Sequence, residues 1–164
     1  MTRQEITEFY AKHHRRLYNI AWRILRDAGE AEEAMQDTIL KFVSEPREFS
    51  SDAQVSAWLA RTCIRASIDR LRSRRRRDEF LEHYAREEAA PEEETLAVLP
   101  GIERIRTEMD ALPEPYRLIL GLVLIEGLDY GEIAALTGRK ETTLRSIYAR
   151  GRAKLTERLK AQTP

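Results

Sequence analysis

The stretch from Asp129 to Leu159, DYGEIAALTGRKETTLRSIYARGRAKLTERL, constrains the fold more than any other part of the chain. Read as a helix-turn-helix, it places Ala134 at the fifth position, where two helices cross closely and only a small inward side chain fits. Gly138 then falls at the ninth position, where the first helix ends and the chain reverses through a backbone conformation that glycine adopts without a Cβ clash. Leu144 and Ile147 lie three apart in the second helix and, with Ile133 and Leu136, close one small apolar core. The outward positions Thr142, Thr143, Arg145, Ser146 and Arg150 are hydroxyls and guanidiniums, groups that hydrogen-bond phosphates and base edges in a major groove. An ordinary α-hairpin with a solvated basic face is the competing reading of this segment taken alone.

The rest of the chain bears on that choice through its charge distribution. The total is neutral, with 28 basic and 28 acidic side chains in 164 residues, so net charge does not flag a nucleic-acid binder. Residues 1–78 carry 16 basic and 12 acidic groups, net +4, and residues 101–164 carry 11 and 9, net +2. Between them, residues 79–100 carry 1 and 7, net −6. Two mildly basic segments around an acidic one predict two binding domains, 1–78 and 101–164, joined by a linker that stays off DNA. Pro91, Pro100 and the self-repelling glutamates of that linker predict that it is flexible.

Cys63 is the only cysteine, which excludes an intrachain disulfide and a cysteine zinc cluster and fits a reduced compartment. The N-terminus is polar, and no apolar run approaches the length of a membrane span. The expectation is a soluble, cytoplasmic protein without direct membrane insertion.

In chain order, Ile6, Phe9, Tyr10, Leu17, Ile20, Ala21, Ile24 and Leu25 recur at helical spacing and predict a long first helix over about residues 2–27, with Gly29 as its exit. A second helix follows with Ala31, Ala34, Met35, Thr38, Ile39, Phe42 and Val43 inward, ended by Pro46. A third runs from about Asp52 to Arg77, with Ser50 or Ser51 as N-cap and Val55, Trp58, Leu59, Thr62 and Ala66 inward. It ends in RLRSRRRR, residues 70–77, six arginines in eight positions. Like charges this dense cost stability unless phosphates neutralise them, and arginine suits bidentate phosphate contacts, so the run reads as a backbone clamp rather than a solvated end.

Three ordered segments resemble successive signatures of the extracytoplasmic-function (group IV) sigma factors of bacterial RNA polymerase. They are AEEAMQDTILKFV (Ala31 to Val43), SAWLARTCIRASIDRLRSRRRR (Ser56 to Arg77) and ALPEPYRLILGLVLIEGLDYGEIAALTG (Ala111 to Gly138), and their order and spacing match as well. The resemblance covers nearly the whole chain except the linker and the last few residues. It implies an all-α protein of two small helical domains, the second a four-helix helix-turn-helix domain, with no catalytic chemistry and no cofactor. The first domain would dock on core RNA polymerase and melt the promoter at its minus-ten element; the second would read the minus-thirty-five element. Promoter DNA, core polymerase and an anti-sigma factor are the implied partners, and no small-molecule substrate is.

Residue by residue, the family's polymerase-docking positions correspond to Glu32, Glu33, Gln36, Asp37 and Lys41, an acidic edge suited to a basic coiled coil. Residues 44–56 match a loop that captures a flipped base, and which of Arg47, Glu48, Phe49, Ser50, Ser51 or Gln54 touches it is left open; Phe49 plugging the core is an equal alternative. Arg61, Arg65, Asp69, Arg72, Arg74, Arg75, Arg76 and Arg77, together with Arg47, Phe49 and Ser50, are the implied minus-ten and backbone contacts. The family's minus-thirty-five contacts correspond to Arg145, Ser146, Ala149 and Arg150, and with Lys140, Thr142 and Thr143 they make up the expected minus-thirty-five set. Trp58 sits at a family core position and reads as structural.

The chain departs from the family pattern in two places. Arg65 stands where asparagine is common, which suggests a phosphate contact in place of a base contact. Arg139, Lys140, Glu141 and Thr142 replace the usual Ile-Ser-Val-Gly turn, so the common serine N-cap is missing and a glutamate lies near the expected path of the DNA phosphates. His13 and His14 are adjacent on a helix, point in different directions and read as a surface pair rather than a metal site. An autonomous helix-turn-helix regulator is the first rival reading, but such proteins read two half-sites as dimers and this chain shows no obvious dimer helix. A small helical hydrolase is the second, and no nucleophile-base set or phosphate-binding glycine loop supports it.

Overall fold

Thr2 starts the first helix. Its hydroxyl accepts the Glu5 N–H and the Glu5 carboxylate accepts the Thr2 N–H, satisfying two donors that no helical carbonyl can serve. In the computed structural model, which describes residues 1–45, 47–78 and 100–161, helix α1 runs Arg3–Leu25, α2 Ala28–Ser44 and α3 Asp52–Asp78. Helices α4 Pro100–Asp110, α5 Glu114–Leu120, α6 Tyr130–Thr137 and α7 Glu141–Ala161 follow, and α5 continues into a π-helical segment, Gly121–Ile125. The fold is all-α, with no strand among the described residues. Two compact units divide the chain, Met1–Glu93 and Glu94–Pro164. The expected linker mobility, the helix stop at Pro46 and the side chains of Arg75, Arg76, Arg77, Asp78 and Pro100 lie outside the described residues.

In the first unit α1, α2 and α3 share one core, built from Leu17, Ile20 and Leu25, from Ala31, Ala34, Met35 and Ile39, and from Leu59, Ile64, Ile68 and Leu71. Each fully buried Leu or Ile contributes about 1.5–3 kcal/mol. Two polar groups in this core find partners: Cys63 Sγ donates to the Leu17 carbonyl at 3.3 Å and the Thr38 hydroxyl to the Ala34 carbonyl at 2.7 Å. One end is closed by rings. Phe9 stacks on Phe42 with centroids 4.4 Å apart, and Phe42, Phe49 and Trp58 meet at 5.6 to 6.2 Å. Phe49 and Trp58 therefore both pack onto the bundle.

Four expectations for this unit need correction. The first helix ends at Leu25, not near residue 27, and its exit is Arg26 rather than Gly29. Arg26 takes the left-handed conformation (φ 53°), donates its N–H to the Trp22 carbonyl and lays its guanidinium over the Trp22 ring at 4.4 Å. Gly29 lies in the first turn of α2, whose N-cap is Asp27, accepting from the Glu30 N–H at 2.9 Å. On α3 Leu59 is buried as expected, but the rest of the inward stripe is displaced: Ala60, Cys63, Ile64, Ser67, Ile68 and Leu71 are buried, while Val55, Trp58, Thr62 and Ala66 are half-buried. A helix packed against two neighbours buries a stripe wider than one apolar row, which here includes the small residues Ala60, Cys63 and Ser67. Of the two candidate caps, Ser51 accepts the Gln54 N–H at 3.2 Å. His13 is buried, not a surface residue; its ring packs on Phe9 at 4.5 Å, and Phe9 in turn stacks on Phe42.

In the second unit Met109, Leu112, Leu120 and Leu155 form a core on which Tyr116, Ile125, Tyr148 and Leu159 pack. Helices α5 and α7 cross at Gly151, which is buried: a Cβ there would stand 3.1 Å from the Tyr116 Cβ and 3.2 Å from Leu120 Cδ1. Glu108 of α4 accepts from Arg158 Nε of α7 at 2.7 Å, and Arg104 donates to the Leu159 carbonyl, so polar contacts tie the two helices at their ends. A capping box opens α6: Asp129 accepts the Glu132 N–H at 2.8 Å and Glu132 accepts the Asp129 N–H at 3.3 Å. Gly138 closes it at φ 72°, donating its N–H to the Ala134 carbonyl at 2.8 Å.

Candidate nucleic-acid interface

After the reversal at Gly138, Leu144 of α7 is fully buried, Ile133 and Leu136 of α6 are buried as well, and Ile147 is half-buried. That orientation leaves Lys140, Thr142, Thr143, Arg145, Ser146, Ala149 and Arg150 exposed over the first three turns of α7 and the residue before it. Lys140 holds the cap position, its carbonyl accepting the Leu144 N–H at 3.1 Å; lysine has no side-chain acceptor to offer the other first-turn N–H groups. The positive end of the helix dipole lies beside the exposed Thr142 and Thr143, an arrangement that favours an anion. Ser146 donates its hydroxyl hydrogen to the Thr142 carbonyl at 3.2 Å, so what it presents outward is an acceptor. The Arg145 guanidinium lies over the ring of Tyr130, 5.4 Å from its centroid.

In the first unit the exposed face of α2 carries Glu32, Glu33, Gln36, Asp37 and Lys41, with Leu40 among them at 64% exposure. All three of these carboxylates have a partner: Glu32 accepts from Gln36 Nε2 at 3.4 Å, and the other two meet a cation. Arg70 of α3 reaches across to Glu33 and Asp37, both at 2.7 Å. Burial works against the Arg70 charge, but the hydrogen bonds to Asp37 and Glu33 outweigh it and hold its pKa above the usual value.

Arg74, one turn further along, donates to the Leu25 carbonyl at 2.7 Å and pairs with Glu30, the side chains of the pair being 25% and 20% exposed. Arg70 and Arg74 thus join α3 to α2 and to the end of α1. Arg61, Arg65 and Asp69 are exposed and Arg72 is half-buried, while the side chains of Arg75, Arg76 and Arg77 are outside the described residues. In the loop before α3, Arg47 is exposed, lies 4.8 Å over the Trp58 ring and bonds Glu45 at 2.9 Å, which draws that carboxyl below its ordinary range. Phe49 is half-buried in the ring cluster and Ser50 is exposed.

In the second unit the expected residues are exposed together on α7 and the residue before it; in the first, Arg47, Ser50, Arg61, Arg65 and Asp69 are exposed, whereas Arg74 is turned inward and Phe49 is half-buried. Sequence reading missed the inward pair Arg70 and Arg74, the Tyr130 ring beneath Arg145 and the glycine crossing at Gly151. The four-residue step from Arg70 to Arg74, matched by the spacing of Glu30, Glu33 and Asp37 on α2, was the available signal for the pair. Among the described residues no group of three His, Cys, Asp or Glu side chains is placed to hold a metal ion, and no helix is long and apolar enough to cross a membrane.

Comparison with known proteins gives two family matches, one per unit. Residues 9–77 match Sigma-70 region 2, and residues 102–155 match Sigma-70, region 4. The ECF RNA polymerase sigma factor SigM of Mycobacterium tuberculosis is 29% identical over 153 residues, which cover 93% of this chain and 76% of that protein. The ECF RNA polymerase sigma factor SigK of Mycobacterium bovis is 30% identical over 144 residues, covering 85% and 77%. Among solved structures, the sigma factor RpoE of Bartonella quintana, in complex with the anti-sigma factor NepR, matches with a TM-score of 0.63 at 22% identity over 98% of this chain and 99% of that one.

Proposed function

The chain belongs to the extracytoplasmic-function sigma factors of RNA polymerase, and from that premise we propose how its two units divide the work of the family. It is an alternative sigma factor: it binds core RNA polymerase and promoter DNA and directs transcription initiation. Residues 1–78 dock on the polymerase through Glu32, Glu33, Gln36, Asp37 and Lys41 and open the minus-ten element. Residues 101–164 read the minus-thirty-five element through Lys140, Thr142, Thr143, Arg145, Ser146, Ala149 and Arg150. The acidic stretch 79–100 joins the two.

The observation that carries this reading is the exposed hydroxyl and guanidinium face of α7, held outward by the buried Leu144. In the first unit Arg47, Ser50, Arg61, Arg65, Asp69, Arg72, Arg75, Arg76 and Arg77 take the opened strand and its phosphates. Phe49 supports the loop from within the ring cluster, so the flipped base meets the polar residues around it. Arg74 stays in the fold, bound to Glu30 and Leu25.

The protein has no catalytic role of its own and works in the cytoplasm, where the polymerase is. Because RpoE of Bartonella quintana is held by an anti-sigma factor, this chain takes an anti-sigma factor in turn. The test is footprinting on promoter duplex with and without core polymerase. Each unit offers few base contacts, and the linker glutamates repel DNA, so the free protein binds weakly and without sequence preference while the holoenzyme protects both elements. A tight, specific footprint by the free protein as a dimer identifies an autonomous regulator instead.

A further inference from the structure

Among the residues α7 offers to DNA, Arg145 is seated on an aromatic ring, and that ring is itself fixed on several sides. Tyr130 is the first residue of α6, and its backbone is set by the Asp129–Glu132 capping box. Its ring meets Tyr148 of α7 edge-on, with centroids 6.1 Å apart and planes at 76°. Tyr148 packs in turn on the core formed by Met109, Leu112, Leu120 and Leu155. The ring therefore bridges the two helices of the helix-turn-helix, and the Arg145 guanidinium rests over it at 5.4 Å.

A free arginine has four flexible torsions, and reading a base edge requires all of them to be held. Stacking on a ring restricts them through the guanidinium face and uses none of its N–H groups, which stay in the plane for a bidentate contact. We propose that Tyr130 is a specificity-determining positioning residue, holding Arg145 in the orientation in which it reads a guanine edge of the minus-thirty-five element. The inference rests on the reading above that Arg145 contacts a base. Tyr130 acts through Arg145 and through its ring, not its hydroxyl.

The experiment uses the full chain with core polymerase, transcribing a promoter set that varies one minus-thirty-five position at a time. Four proteins are compared with wild type: Tyr130→Phe, Tyr130→Leu, Arg145→Ala and the double variant Tyr130→Leu with Arg145→Ala. Arg145→Ala removes the preference at one position. Tyr130→Leu weakens that same preference roughly two- to fivefold, the size of an exposed cation–π contact, and leaves the other positions unchanged. Tyr130→Phe keeps the preference, and Tyr130→Leu has no further effect once Arg145 is gone.

An even loss of transcription across all promoters with Tyr130→Leu overturns the inference, because that is what a folding defect produces. A Tyr130→Phe variant that behaves like Tyr130→Leu also overturns it. If Arg145→Ala costs a preference and Tyr130→Leu keeps it, the positioning role alone is wrong. If Arg145→Ala changes no preference, the reading of Arg145 falls and takes this inference with it.

Discussion

Replacing Arg74 with alanine separates a structural arginine from a phosphate clamp. The wild-type side chain donates to the Leu25 carbonyl at 2.7 Å, one of the α1 terminal acceptors that lack a helical donor, and pairs with Glu30. Hydrogen bonds to charged groups contribute about 1.5–3 kcal/mol each. The two are not additive here, because a single guanidinium makes both and the pair keeps a quarter to a fifth of its surface in water. A net loss of about 2 kcal/mol follows, which for a unit of this size lowers the unfolding midpoint by roughly 10 °C. Arg74→Lys recovers part of that, since one ammonium can serve Glu30 or Leu25 but lacks the fork that serves both. Circular dichroism melts of the full chain measure the midpoint, and holoenzyme–promoter complexes at a series of salt concentrations measure the phosphate count. An unchanged midpoint together with a salt slope reduced by about one unit, the signature of a phosphate contact, would show Arg74 to be a clamp and not a structural residue.

Further expectations concern the buried histidine and the glycine crossing. His13 has its pKa pushed below the ordinary 6.5 by burial first and by Lys12 and Arg16 next, with Asp52 opposing. The unfolded chain therefore binds a proton that the folded one refuses, so the first unit loses stability as pH falls below about 6.5 and gains nothing above it. Melts between about pH 5 and about pH 7.5 should show this slope in wild type and a flatter one in His13→Gln. Gly151→Val drives a branched side chain into Tyr116 and Leu120 and should cost the second unit about 2 kcal/mol in urea unfolding. Gly151→Ala should stay near neutral, because a helix-propensity gain of about 1 kcal/mol opposes the tight contact.

What the sequence made legible was local. Gly138 could be placed because an abrupt reversal calls for positive φ, and it has φ 72°. The α2 stripe Ala31, Ala34, Met35, Thr38, Ile39, Phe42 and Val43 follows helical spacing; the first five are buried and Phe42 and Val43 are half-buried. What stayed hidden depends on distant partners. Arg70 and Arg74 read as part of a charge run because their carboxylates lie 33 to 44 residues away. Arg26 takes a conformation that sequence assigns to glycine, and its guanidinium stacks on Trp22. Tyr130 carried no signal as a functional residue, because its partner is a guanidinium on the next helix and only the angle between the helices brings them together.

The most direct test of the account is transcription by purified core polymerase from a random promoter library, with and without this protein, followed by sequencing of the transcript starts. The account predicts that adding the protein selects starts preceded by two conserved elements at fixed spacing, and that Arg145→Ala relaxes one position of the upstream element while leaving the downstream element intact. Starts that are unchanged by the protein, or an Arg145→Ala variant that lowers every promoter equally, would contradict it.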